Sequence, residues 1–422
     1  MMRAGFAEVD ITPPLGIYKM GWKRLIVADA VLDPLYARVA VIESGDRRAA
    51  FVQLDTAVVE RDVALRIRRR VEEQYDFPGD AVMVAATHNH AGPAVGYDGD
   101  VKPDEAYVAS LIDKATQAFG GALAGLAPVE AGFGHGYEFR VAHNRRVVMR
   151  DGTVRTHGNF SHPDALFIEG PIDPEVTVMA LRRPGGGLAA ALVNFACHPT
   201  HEGGSGKLTA GFPGVLARRL AASGCPLTLF LNGAAGNAHS DRPAEGGRPR
   251  PMAECGELLA ETVLEILNRI EYRPELPLTC ARTEIELPYR KLNDQEIQGT
   301  ARGAQRFIDP KIYEREIAAL TRHIAANPAE RAEVQAIGFG EHAFVSVPGE
   351  LFAELGLELK VRAYPTRVAV VGYANGSVGY LPHRAAFERG GYETTFCGSS
   401  RLAPGAGEMV VDAAARLVAA LS

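Results

Sequence analysis

Cysteine is scarce in this sequence and is not arranged for cross-linking. The five cysteines (Cys197, Cys225, Cys255, Cys280 and Cys397) are odd in number, widely scattered and form no CxxC pair. This usage is typical of reduced thiols rather than of a disulfide framework. We therefore expect a cytoplasmic protein.

Long apolar runs and a strong charge excess are also missing. No run approaches the roughly 20 residues needed to cross a bilayer, and the segment 1–5 lacks the basic and apolar regions of a signal peptide. The single tryptophan, Trp22, leaves no aromatic edge for docking to a membrane. A net charge of -6 and a pI near 6.1 do not favour nucleic acid. We expect neither a membrane nor a nucleic-acid partner, but a small-molecule substrate.

The apolar material is ample and is arranged in alternating strand and helix patterns. Hydrophobic residues make up 47% of the 422 residues, and charged residues 23%, as in globular proteins. Apolar runs of strand length alternate with segments of helical periodicity, as in residues 49–55, 60–75 and 82–87. The pattern predicts the α/β class, with mixed β-sheets flanked by helices. We expect a single domain over residues 1–422, with a helix-rich insertion at about 291–334.

Two histidines follow one of the predicted strands, within the stretch Thr87-His88-Asn89-His90-Ala91-Gly92-Pro93. If the strand continues through them, side chains at positions i and i+2 point to the same face. Both imidazoles would then enter one pocket, with Gly92-Pro93 ending the strand. The alternative is a pair of unrelated loop histidines.

Other predicted strands also end in polar residues. His198 and His201 follow the apolar run 188–197, Asn237 lies in the loop after the run 226–231, and Glu350 follows Val347. Open α/β sheets bind ligands at the carboxyl ends of their strands, and two histidines with one carboxylate are a common catalytic zinc set. Spacing alone leaves two alternatives open: structural histidines, and a Glu350 that only favours the first turn of a helix.

Four motifs, taken together, resemble the neutral/alkaline non-lysosomal ceramidase family. Residues 87–93 are similar to its THTHSGP motif, and the run Asn194–Thr200 ends in HPT as the family's strand does. The segment 347–350 reads VPGE, and Gly379-Tyr380 is followed by a second tyrosine, Tyr392, at the family's separation. The matches occur in the family's order along nearly the whole chain.

This resemblance implies a ceramidase-like catalytic domain and a set of roles. One zinc ion per chain would be held by His88, His198, Glu350 and Tyr380. His90 would lie beside the metal as a proton-transfer or substrate-polarising group. Arg145, from an Asn-Arg pair like the family's, and Tyr392 would stabilise the oxyanion of amide hydrolysis. Packing of Tyr392 on the core is the alternative for that residue.

The chain departs from the family at its nucleophile. Ceramidases carry a serine in a GDVSP-like loop, where this sequence reads Gly236-Asn237-Ala238-His239-Ser240-Asp241, so that His239 occupies the aligned position. Metal-activated water is therefore the preferred nucleophile. We expect extra substrate contacts from His201, Glu202, Asn237 and His239.

The sequence thus predicts a zinc-dependent hydrolase that cleaves an acyl C–N or C–O bond of a small polar substrate. The alternatives are a zinc lactonase or esterase, and a non-hydrolytic ceramidase-like lyase or binding protein. The sequence leaves open whether another divalent ion replaces zinc and whether the protein is a homo-oligomer.

Overall fold

The computed structural model describes residues 1–421. The helices are α1 (Arg61–Tyr75), α2 (Glu105–Ala124), α3 (Gly211–Ala222), α4 (Met252–Leu267), α5 (Asp294–Gln298), α6 (Pro310–Ala326), α7 (Ala353–Arg362), α8 (Ala386–Arg389) and α9 (Ala406–Ala419). The strands are β1 (Arg3–Asp10), β2 (Ala30–Val31), β3 (Tyr36–Ser44), β4 (Arg47–Leu54), β5 (Val82–Ala86), β6 (Ala127–Pro128), β7 (Glu130–Tyr137), β8 (His143–Asn144), β9 (Arg146–Met149), β10 (Val154–Thr156), β11 (Ala165–Ile168), β12 (Glu175–Arg182), β13 (Leu188–Phe195), β14 (Lys207–Leu208), β15 (Thr228–Asn232), β16 (Ala238–His239), β17 (Asp241–Arg242), β18 (Arg248–Pro249), β19 (Leu278–Pro288), β20 (Ala329–Phe339), β21 (His342–Ser346), β22 (Glu350–Leu351), β23 (Arg367–Val371) and β24 (Tyr380–Leu381).

Three sheets carry most of the strands. Their orders are β5-β4-β3-β1-β6, β15-β13-β12-β7 and β19-β20-β21-β23. Each sheet is mainly antiparallel but contains one parallel pair: β4 with β5, β13 with β15, and β21 with β23. The prediction of an α/β fold with mixed sheets flanked by helices is confirmed.

Each sheet has one face covered by helices, and the opposite faces share a core. Helices α1 and α2 pack on the first sheet, α3 and α4 on the second, and α7 and α9 on the third. Phe51, Leu192 and Phe344, one from each sheet, belong to the shared core. Burial on both faces explains why β13 is a continuous apolar run in the sequence.

A buried, hydrogen-bonded side chain also joins two of the sheets near the carboxyl ends of their strands. The buried side-chain amide of Asn194 in β13 donates to the carbonyl oxygens of Leu231, at 2.8 Å, and Val370, at 2.7 Å. These bonds join the second sheet to β23 of the third. The loops that follow the parallel pairs therefore start from fixed positions.

Two sequence-based expectations about local structure are wrong. Strand β5 ends at Ala86, and His88 adopts a left-handed conformation with φ 64°, so the strand does not continue through the histidines. Glu350 is not in a helix: it lies in β22, which pairs with β24, and α7 begins only at Ala353.

The predicted insertion is helical only in part. Helices α5 and α6 lie within it, but β20 already begins at Ala329, because residues 329–334 pair with residues 283–288 of β19. None of the five cysteines is in a disulfide. Within residues 1–421, no helix is both long enough and apolar enough to span a bilayer.

Candidate metal centre and active site

His88 is positioned by a turn. Its ring stacks on Tyr373, with centroids 3.9 Å apart and planes 18° apart. Its Nδ1 lies 2.7 Å from the carbonyl oxygen of Ala57. Because a carbonyl can only accept, Nδ1 carries the hydrogen and Nε2 presents its lone pair to the opposite side.

His198 follows β13 and is held in the same way. It is fully buried, and its Nδ1 donates to the carbonyl oxygen of Ala235 at 2.6 Å. Burial lowers the pKa of His198 to about 3, so the ring is neutral at physiological pH. Its Nε2 is then also an acceptor.

The carboxylate of Glu350 lies between these two acceptors. Its Oε2 is 3.1 Å from Nε2 of His198 and 3.4 Å from Nε2 of His88. Three electron-pair donors thus face one another, an arrangement that a cation between them would stabilise. Two nitrogens and one carboxylate oxygen fit a catalytic zinc ion.

His90 joins the same group. One ring nitrogen from each of His88, His90 and His198 lies within 4.8 Å of the others, and Nε2 of His90 is 3.0 Å from Nε2 of His88. Within residues 1–421, no hydrogen-bond partner reaches the buried Nδ1 of His90. The division of roles between His88 as ligand and His90 as proton carrier stays a prediction.

Tyr380 and Arg145 lie next to this group. Tyr380 is the partner of Glu350 in the β22–β24 pair. Nη2 of Arg145 donates to the phenol oxygen of Tyr380 at 3.1 Å and to the carbonyl of Gly236 at 2.8 Å. The guanidinium of Arg145 is therefore held next to the phenol of Tyr380, a candidate metal ligand.

Glu393 positions Arg145, and the sequence reasoning missed it. Its Oε1 accepts from Nε of Arg145 at 2.8 Å, and its Oε2 accepts from Nη1 of Arg146 at 2.8 Å. Burial acts to raise the pKa of Glu393, but the two guanidinium groups lower it to about 2. In the sequence, only its position next to Tyr392 indicates a role for Glu393 in the site.

A cavity of about 1310 Å³ opens over the cluster. Tyr392 lines it, with its ring 5.8 Å from that of Tyr380 and 5.2 Å from that of Phe307 in the insertion. Other residues of the insertion that line the cavity are Ile308, Tyr313, Arg315, Glu316, Ala319, Leu320 and His323. The helical segment therefore covers the candidate site.

The predicted substrate contacts divide into two groups. His201, Glu202 and His239 line the cavity. Asn237 is placed elsewhere: its side chain donates to Oε2 of Glu354 at 2.8 Å and accepts from the amide of Ala353 at 2.9 Å. Both polar atoms of Asn237 are thus used to tie its loop to the start of α7.

A second cluster surrounds His239. Thr200 Oγ1 lies 2.6 Å from its Nε2, and Asp241 Oδ1 lies 3.1 Å from its Nδ1. His157 completes the group, with Nδ1 2.5 Å from Oδ2 of Asp241. The spacing His239-x-Asp241 is visible in the sequence, but nothing there indicates that His157 joins them.

The fold and the histidine–carboxylate group define an α/β protein with a candidate metal centre at strand ends. Residues 2–211 match the family described as neutral/alkaline non-lysosomal ceramidase, N-terminal. This chain belongs to the neutral ceramidase-like family.

Relatives and solved structures agree with that assignment. The neutral ceramidase of Pseudomonas aeruginosa is 28% identical over 47% of this chain and 30% of its own length. Neutral ceramidase 3 of Arabidopsis thaliana is 33% identical over 22% of this chain and 13% of its own. The matches thus span less than a third of either relative.

In three dimensions the similarity extends over the whole chain. The crystal structure of the Pseudomonas neutral ceramidase matches with a TM-score of 0.74 and 20% identity, over 100% of this chain and 75% of that one. A ceramidase complexed with C2 matches with a TM-score of 0.76 and 18% identity, over the same shares. At this identity the likeness establishes the fold.

Proposed function

We propose that this protein is a zinc-dependent hydrolase that cleaves an acyl C–N or C–O bond of a small polar substrate. The observation that carries the proposal is the convergence of the Nε2 atoms of His88 and His198 on one oxygen of Glu350. Tyr380 would be the fourth ligand, since it is paired with Glu350. A zinc ion held there would polarise a carbonyl and lower the pKa of an attacking water towards about 7.

The protein's own groups supply the remaining steps. Nε2 of His90 faces the cluster, 3.0 Å from Nε2 of His88, and it would carry the proton between the attacking water and the leaving group. Arg145, fixed by Glu393 and by the carbonyl of Gly236, presents fixed positive charge where the oxyanion develops. Tyr392 would donate a hydrogen bond to the same oxygen.

The family supports an amide as the scissile bond, and the side chains that line the cavity support a polar substrate. The relatives are ceramidases, whose substrates contain an acyl C–N bond. Polar side chains from several elements line the cavity, among them His201, Glu202 and Arg315, and the proposal of a polar substrate rests on these groups. Water is the proposed nucleophile because His239 stands where the family has its serine.

Ser240 is a poor substitute for that serine. Its side chain is fully buried, and within residues 1–421 its hydroxyl contacts no hydrogen-bond partner. Since a hydroxyl nucleophile needs a base within hydrogen-bond reach, this position supports attack by water.

The test combines turnover with metal content. Purified protein would be assayed against N-acyl amides, esters and lactones with polar head groups, and its zinc counted by mass spectrometry. We expect hydrolysis that is lost, together with one metal per chain, in His88→Ala and Glu350→Gln. The matched control is His342→Gln, which removes an imidazole that is paired with His135 at 3.1 Å on another part of the chain.

Other outcomes would overturn the proposal. A fully active protein without metal would contradict the role of zinc. An unsaturated product would favour a lyase, and binding without turnover would favour a binding protein.

A further inference from the structure

We propose that His157, His239 and Asp241 form a second divalent-metal site in the same cavity. The ligand atoms of these three side chains lie within 4.8 Å of one another. All three residues line the cavity, so an ion bound there would be accessible to substrate. This inference stands on its own residues and does not depend on the zinc site at His88.

The hydrogen bonds around His239 identify the nitrogen that could act as a metal ligand. The backbone N–H of Asp241 donates to Nδ1 at 3.1 Å, so Nδ1 carries a lone pair and Nε2 carries the hydrogen. That hydrogen is directed at Oγ1 of Thr200, 2.6 Å away. In the other tautomer, two N–H groups would face each other.

With this tautomer, the single lone pair of Nδ1 accepts the N–H of Asp241, and an ion bound at His239 would replace that one hydrogen bond. Nδ1 of His239 also lies 3.1 Å from Oδ1 of Asp241, so an ion placed there would be bound by an imidazole nitrogen and a carboxylate oxygen together. His157 would complete the set, since its Nδ1 lies 2.5 Å from Oδ2 of the same carboxylate.

The donor set indicates the class of metal. Two imidazole nitrogens and one carboxylate suit zinc and similar transition ions, whereas magnesium and calcium prefer oxygen ligands. Thr200 would act as the outer partner that orients a ligating imidazole. His157, with 37% of its side chain exposed, leaves the open side on which a carboxylate or hydroxyl group of the substrate can bind.

The two clusters are close enough for the second ion to bind the same substrate molecule. The rings of His198 and His239 lie 6.1 Å apart, so a substrate bound at the first cluster lies next to the second. Replacement of the family's serine by His239 would then exchange a nucleophile for a metal ligand. The second ion would anchor a polar group beside the scissile bond.

The experiment counts zinc ions in metal-depleted full-length protein by equilibrium dialysis and by calorimetric titration. We expect two zinc ions per chain in the wild type and one in each of His157→Gln, His239→Gln and Asp241→Asn. Glu350→Gln should lose the other ion and keep this one, which separates failure of the second site from failure of the first. His342→Gln is the control and should bind two.

If the variants at buried residues do not fold, His157→Gln still tests the proposal, because it alters a partly exposed side chain. Circular dichroism would verify folding, and cobalt absorption would report the change in ligand number independently of activity. A wild type that binds no more than one ion overturns the proposal. So does a folded His157→Gln protein that still binds two with unchanged affinity.

Discussion

The two histidine–carboxylate clusters face the same cavity but are held by different means. In the first, His88 and His198 each donate from Nδ1 to a backbone carbonyl and are almost fully buried. In the second, His239 is oriented by the side chain of Thr200, and His157 is partly exposed. In the first cluster both imidazoles are thus held by backbone carbonyl groups, whereas in the second one imidazole is oriented by a side chain and the other is partly exposed.

This difference predicts different tasks. The first cluster is buried and held by backbone carbonyl groups, so we expect it to be preorganised for a tightly bound metal. A partly exposed side chain such as that of His157 adapts at lower cost, so we expect the second cluster to suit an ion that exchanges or follows the substrate. The predictions below test that contrast.

Loss of one ligand should have the largest effect in the first cluster. We expect His198→Gln to lower zinc affinity by more than the about 10- to 100-fold typical of outer partners, and to abolish turnover. His157→Gln should weaken only the more weakly bound ion. Competition with a chelator of known affinity measures both constants, and equal losses in the two variants would contradict the contrast.

Arg145 connects the clusters, since its carbonyl accepts from the amide of His157 while its side chain reaches Tyr380. Arg145→Met should lower kcat by about 10²- to 10³-fold through loss of oxyanion stabilisation. It should also cost about 3 kcal/mol in the free energy of unfolding, because one buried partner of Glu393 is lost.

The double variant Arg145→Met/Glu393→Gln separates the two effects. It should recover part of the stability, measured by urea unfolding, but none of the kcat. Recovery of activity as well would show that Arg145 has only a structural role.

Glu393 makes the support of the active site sensitive to acid. Its pKa in the folded protein is about 2, below the ordinary value of 4.5, so its contribution to stability is complete above pH about 4.5 and is lost as the pH falls towards 2. The shift corresponds to about 3 kcal/mol. Urea unfolding of wild type and Glu393→Gln should show a difference in stability that shrinks over this pH range; a constant difference would contradict the prediction.

Ser240 should show the smallest effect, although it lies between His239 and Asp241. Its hydroxyl is buried and contacts no hydrogen-bond partner within residues 1–421, so its removal leaves no other group unsatisfied. Ser240→Ala should leave kcat unchanged and alter the free energy of unfolding by less than about 1 kcal/mol. A large loss of kcat would instead make Ser240 the nucleophile.

The α/β class and the neighbourhood of the first cluster could be predicted because both depend on local patterns. A strand is marked by its apolar run and ends where polar and glycine residues begin, so His198 and Glu350 could be assigned to strand ends. The carboxyl ends of parallel strands then bring such residues together. Assignment of Tyr380 and Arg145 required motifs, since neither lies next to a long strand.

Three-dimensional packing determined the rest. His88 and His90 meet through a left-handed turn, which the regular i, i+2 rule for strands does not describe. Glu393 becomes a partner of Arg145, and His157 a partner of Asp241, only when distant loops fold over the same strand ends. Contacts of this kind depend on side-chain direction and loop path, which the local sequence does not encode.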